Sequence, residues 1–112
     1  MEQDWVKEMP MAITVTDKAG IIIEMNDKSV KTFEKYGGEK LIGKNVMDIH
    51  PAGACAKITE IIATKEMNSY TIEKNGIKKL IYQTPWYKDG IYAGLVELSL
   101  EIPLEMPHFV RE

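Results

Sequence analysis

The sequence predicts an α+β domain built on antiparallel strands, and three observations carry that prediction. Tyr70–Lys74 runs into Asn75-Gly76, Ile77–Lys88 runs into Asp89-Gly90, and Ile91–Ile102 follows. Asn-Gly and Asp-Gly readily take positive φ at both central positions of a type I′ turn, so these runs form a meander. Upstream, Met11–Thr16 and Ile21–Met25 flank the turn Asp17-Lys18-Ala19-Gly20 and pair as a hairpin. Between the two strand groups, Asn26 to Lys65 is helix-forming. A sheet that exposes one face must cover the other, and this stretch supplies short helices for the cover.

Each element has a local cause. Trp5, Val6 and Met9 share one helical side, so residues 1–10 form a short helix or an arm that docks. Met11, Ile13 and Val15 alternate with Ala12, Thr14 and Thr16, and Ile21, Ile23 and Met25 alternate in the next strand. Asn26 follows at once and is a good N-cap, with Asp27 in the first turn where the helix dipole favours it. Val30, Phe33 and Tyr36 give this helix an apolar stripe, and Gly37-Gly38 ends it. Leu41–Ile49 reads as a short helical turn with irregular flanks, and His50-Pro51 interrupts it. Ala54, Cys55, Ile58, Ile61 and Ile62 recur at helical spacing, opposite Lys57, Glu60 and Lys65. In the meander, Pro85 predicts an edge position or a bulge. The last strand is apolar on both faces, which predicts cover on both faces or a partner.

Composition narrows the class. The chain has 112 residues, room for one domain, and is 45% hydrophobic and 28% charged, as soluble globular domains are. A net charge of -3 gives no general attraction to nucleic acid or to an anionic membrane. No apolar run approaches the roughly 20 residues of a membrane span. The amino terminus is acidic and lacks the basic-then-apolar order of a secretory signal. Cys55 is the only cysteine, so no internal disulfide forms, and a cytoplasmic location is expected.

From about Met11 to about Ile102 the chain resembles the PAS domain family. Four features carry the likeness: Ile13-Thr14-Val15-Thr16-Asp17 with Gly20-Ile21-Ile22; Asn26 opening the first helix; Leu41-Ile42-Gly43-Lys44 ahead of Asp48-Ile49-His50-Pro51; and the closing meander. The resemblance implies a five-stranded antiparallel sheet with its helices on one face and a ligand pocket between them. It also implies that the opposite sheet face binds a helix or another copy. The expected division is an arm at residues 1–10, a PAS-like domain at 11–102 and a tail at 103–112.

Candidate chemistry is sparse. The resemblance makes His50 a possible heme ligand, since some PAS domains bind heme through a histidine near the long helix; the alternative is that His50 braces the helix start beside Pro51. Cys55 sits in Gly53-Ala54-Cys55-Ala56, not in the Asn-Cys-Arg context of flavin-adduct PAS relatives, so flavin is not expected. Tyr70, Tyr82, Tyr92 and Trp86 lie on or near strands, where they line a pocket or pack across strands. Tyr82 and Tyr92 are expected as cross-strand neighbours. His50 and His108 form no metal-spacing motif, and no nucleophile elbow, phosphate loop or dinucleotide fingerprint is present.

The expectation is therefore a stand-alone sensory module without catalytic output, cytoplasmic and homodimeric. It would bind a small ligand and relay its presence to a signalling partner by protein contact. The expected ligand-binding residues are Phe33, Met47, His50, Ile58 and Ile62 from the helical part, with Tyr82, Tyr92 and Val96 from the strands; Ile13 also points toward the pocket. Apolar material at both ends, including Leu104, Met106, Phe109 and Val110, favours dimerisation. Two other classes fit the composition: a dimerisation domain with a filled core and no ligand, and a small α+β-cone enzyme with a buried His or Asp of shifted pKa.

Overall fold

A computed structural model describes residues 4–112; Met1–Gln3 of the expected arm lie outside the described residues. Five strands, β1 (Ala12–Thr16), β2 (Ile22–Met25), β3 (Asn68–Lys74), β4 (Ile77–Lys88) and β5 (Ile91–Ile102), make one sheet in the order β2-β1-β5-β4-β3. All four pairings are antiparallel. This order puts β2 and β3 at opposite edges, so the chain joining them crosses the sheet. The crossing segment holds α2 (Asp27–Thr32), α3 (Ala52–Thr64) and three 3-10 turns, Glu34–Tyr36, Gly38–Leu41 and Val46–Ile49. A four-residue helix, α1 (Asp4–Lys7), precedes the sheet. No helix among the described residues is long and apolar enough to cross a membrane.

The two hairpin turns have the expected cause. Asn75 and Gly76 take φ of 54° and 77°, and Asp89 and Gly90 take 52° and 80°. Positive φ at both positions matches the twist of the flanking strands. In the first hairpin, the Asp17 carboxylate accepts from the amides of Ala19 and Ile21 at 2.9 and 3.0 Å. Asn26 caps α2 and does more. Its Oδ1 accepts from Ser29 N and Ile13 N at 3.0 and 2.9 Å, and its Nδ2 donates to the carbonyls of Val6 and Met11 at 2.9 and 2.7 Å. One buried side chain thus joins β1, α2 and the arm.

The helix predicted from Asn26 to Gly37 is broken. α2 stops at Thr32, Phe33 leaves helical geometry, and a separate 3-10 turn follows. Thr32 Oγ1 donates to Lys28 O at 2.8 Å, a local bond that competes with regular helix.

The core cluster is Ile22, Met25, Leu41, Val46, Ile58, Ile61 and Leu95. Leu95 belongs to it, so Leu95 and its alternate neighbours face the helices. Gln83 and Glu97, paired in register, share that covered face with Ile81 and Ser99. The opposite face takes Ile13 with Leu98, Val15 with Val96, and Tyr82 with Leu98. The expected orientation of Ile13, Tyr82 and Val96 toward the helices is therefore reversed. Strand β5 is apolar at both parities, so hydrophobicity alone could not choose its inner face.

A bulge between Trp86 and Tyr87 then shifts the phase at one end of the sheet. There Tyr92 pairs with Tyr87, not with the expected Tyr82; the two rings meet edge to face, 6.4 Å apart. Pro85 sits one residue before Trp86 and beyond the last β3 pair at Gln83. At the same place β5 crosses under Trp86, whose Nε1 donates to Thr16 O at 2.9 Å. Gly94 is required beneath it, because a Cβ there would collide with the Thr16 carbonyl and the Trp86 indole nitrogen.

Candidate functional site

The covered face is joined to the sheet by polar bonds as well as apolar packing. Thr14 of β1 and Ser29 of α2 share a hydrogen bond of 2.6 Å between buried hydroxyls. At the other end of the crossing segment, Pro51 disfavours helix at His50 and leaves it extended, with φ −119° and ψ 146°. The His50 ring turns back onto its own 3-10 turn, and Nδ1 lies 2.8 Å from Val46 O. A carbonyl only accepts, so Nδ1 carries a proton. Nε2 then faces Glu97 Oε2 on β5 at 3.5 Å.

This is the one ion pair between helical segment and sheet among the described residues; Lys7–Asp27 and Lys57–Glu60 lie elsewhere, on the surface. Both partners are only 13% exposed. Gln83 Nε2 donates to the same Glu97 oxygen at 3.0 Å, and Asn68 Nδ2 donates to Gln83 Oε1 at 2.9 Å. The chain Asn68–Gln83–Glu97–His50 thus runs from edge strand β3 through β4 and β5 to the head of α3. The hydrogen bond to Glu97 raises His50 above its ordinary value against the opposing effect of burial; the Val46 carbonyl and the Glu97 charge add to the rise. Burial pushes the Glu97 carboxyl up, yet the hydrogen bonds from His50 and Gln83 with the His50 charge outweigh it, and the net shift is downward. Each group thus favours the charged form of the other.

Beside the pair lies a cleft of about 230 Å³, walled by Phe33, Tyr36, Ile49 and Tyr70 and floored by Ile81, Ser99 and Glu97. Burial raises the Tyr70 phenol, and the Glu97 charge raises it further. Through Ile72 and Lys79 the cleft continues into a depression of about 340 Å³ at the Asn75-Gly76 turn. A third hollow, of about 330 Å³, lies beside Asp17 and Tyr92. Both hollows are larger than the cleft, but neither has a buried polar network in its wall, so the cleft is the candidate site.

Of the expected site residues, Phe33 and His50 line this cleft. Ile58 is fully buried in the core, and Met47 and Ile62 pack against that core. Tyr82 and Val96 lie on the opposite sheet face. Tyr92 sits at the far end, with the Lys65 ammonium 4.5 Å over its ring. Cys55 is turned away from the cleft, its thiol against the carbonyls of Met47 and His50 at 3.1 and 3.4 Å. Sequence reasoning missed Glu97 and Gln83. A lone carboxylate inside an apolar strand, Leu95-Val96-Glu97-Leu98, is the signal that points to them.

No family model and no curated protein matches this sequence. Solved structures do. A PAS domain from Colwellia psychrerythraea superposes with a TM-score of 0.65 at 22% identity, covering 90% of this chain and 93% of that one. A sensory box sensor histidine kinase from Vibrio cholerae gives 0.62 at 14% identity, covering 91% and 89%. The Aer2 receptor of Vibrio cholerae, described as a dual PAS-heme oxygen sensor, gives 0.61 at 17% identity, covering 82% and 94%. The fold is that of a PAS domain: a five-stranded antiparallel sheet with short helices crossing one face.

The residues here do not fit heme. Iron takes a neutral imidazole nitrogen. Nδ1 of His50 donates to Val46 O, which leaves Nε2 as the only nitrogen for a metal, and Nε2 faces the Glu97 carboxylate instead.

Proposed function

We propose that this chain is a cytoplasmic sensory module whose cleft takes a small ligand and whose output is a change in protein contact. The observation that carries this reading is the His50–Glu97 pair. It ties the helical segment to the central part of the sheet at the wall of the cleft, so a guest that perturbs the pair shifts the segment relative to the sheet. Such a shift is a two-population equilibrium biased by differential binding. The residues proposed to meet the ligand are Phe33, Tyr36, His50, Tyr70 and Glu97.

The opposite sheet face supports the contact half of the reading. Val96, Leu98 and Leu100 form a half-buried apolar row on β5, with Leu80 and Tyr82 beside it on β4. Beyond the sheet, Leu104, Met106, Phe109 and Val110 are exposed. A second copy covering this row gives the homodimer, and a signalling protein is the downstream partner. Native mass spectrometry of the full chain tests both halves. The expected spectrum is a two-chain species with a small-molecule adduct; a bare monomer at micromolar concentration contradicts it.

A second reading has one observation in its favour. The buried, upward-shifted His50 is the group an α+β-cone enzyme requires. With Nδ1 on Val46 O and Nε2 facing a carboxylate, His50 is poorly placed as a base, and none of Thr32, Ser99 or Lys79 in the cleft wall is bonded to it. The sensory reading needs no further group, and it is the one adopted.

A further inference from the structure

Glu97 has an unused oxygen. Its Oε2 takes both Gln83 Nε2 and His50 Nε2, whereas Oε1 accepts no hydrogen bond from any described residue. No fully buried side-chain oxygen among the described residues lacks a partner, so Oε1 reaches the cleft. Aromatic rings of Phe33, Tyr36 and Tyr70 stand in the walls around it. One of them already attracts a cation from outside, since the Lys35 ammonium lies 5.7 Å from the Tyr36 ring centre.

We propose, on the reading of the cleft as a ligand site, that its ligand is a small organic amine with an apolar body. The ammonium donates to Glu97 Oε1, and the body packs on Phe33, Ile49 and Ile81. A carboxylate beside aromatic rings suits an ammonium, through a charge-assisted hydrogen bond and attraction to ring faces.

Charge balance defines the consequence. The charged groups at the cleft are His50 and Glu97, which face each other, and Lys79 in its wall. An arriving ammonium adds one positive charge. It competes with His50 Nε2 for the Glu97 carboxylate, and His50 yields its Nε2 proton to solvent while keeping the Nδ1 proton on Val46 O. The other titratable groups facing the site are Tyr36, Tyr70 and Lys79 in the cleft and Cys55 behind His50. Of all these groups only His50 contacts the Glu97 carboxylate that the ammonium would engage. Amine binding therefore unties the helical segment from β5, which makes the ligand the release signal for the pair.

Three probes of one shape separate the possibilities: benzylamine, benzyl alcohol and benzoate, titrated calorimetrically into the intact protein. Benzylamine should bind about tenfold more tightly than benzyl alcohol, with benzoate weakest. Repeating the titration in two buffers of different ionisation enthalpy should reveal net proton release on amine binding. Glu97→Gln should abolish the amine preference, and His50→Gln should keep amine binding and abolish proton release. If benzyl alcohol or benzoate binds as well as the amine, or no proton is released, the amine assignment is wrong while the cleft stands as a ligand site. If none of the three binds, the ligand reading of the cleft fails with it.

Discussion

The two faces of the sheet invert the usual arrangement. The face under the helices is where water is excluded, yet it carries Thr14, Gln83 and Glu97, all bonded across elements to Ser29, Asn68 or His50. The open face, where polar residues cost nothing, carries Val96, Leu98, Leu100, Leu80 and Tyr82. Burying polar groups is unfavourable unless each is paired, and a satisfied network fixes one geometry where apolar packing tolerates many. Exposed apolar rows are unfavourable unless something covers them. The difference gives the covered face a precise geometry and leaves the open one an apolar surface, the one proposed above for association.

The contrast can be broken at graded cost. Gly94 comes first, because it lets β5 pass under Trp86 next to the bulge that sets which residues each face receives. Gly94→Ala should destabilise by more than about 4 kcal/mol or abolish folding, read by thermal unfolding. Asn26→Ala removes the cap of α2 and leaves the amides of Ile13 and Ser29 without their acceptor. A loss of about 3 kcal/mol in denaturant unfolding is expected. His50→Phe leaves the Glu97 carboxylate with Gln83 alone. The expected cost is about 2 kcal/mol, below the range for fully buried pairs because the cleft admits water. Leu98→Asp on the open face should cost about 1 kcal/mol or less in stability, and light scattering should find the proposed dimer reduced to monomer.

The pair also makes stability depend on pH in a stated direction. His50 is raised above 6.5, so its contribution is complete below 6.5 and is lost as pH rises through the higher folded value. Glu97 is lowered below 4.5, so its contribution is complete above 4.5 and is lost as pH falls through the lower folded value. The pair therefore contributes most between these ordinary values. A chemical-unfolding series should find that contribution falling above the window in the native protein and missing in His50→Phe.

What could be read from the sequence was local. Asn75-Gly76 and Asp89-Gly90 announce their turns because backbone conformation at those residues depends on the residues themselves. Asn26 announces its cap for the same reason, and with the PAS-like motifs these gave the element order. The inner face of the strands was not local. Ile13 was expected to face the pocket, but Thr14 is the residue turned to the helices, its hydroxyl on Ser29, and Ile13 is buried on the other face beside Leu98. Tyr92 changed neighbours because one bulge resets the alternation after it. The site needed both kinds of information. His50 stood out by its residue type, whereas Glu97 mattered only once register brought it beside Gln83 and under His50.

Imidazole nitrogen chemical shifts of His50, followed by NMR across pH, probe the pair most directly. The expected result is a ring whose second protonation titrates above 6.5 and returns toward the ordinary value in Glu97→Gln. A ring that titrates at or below 6.5, unmoved by that substitution, would mean that helices and sheet are not joined through this contact.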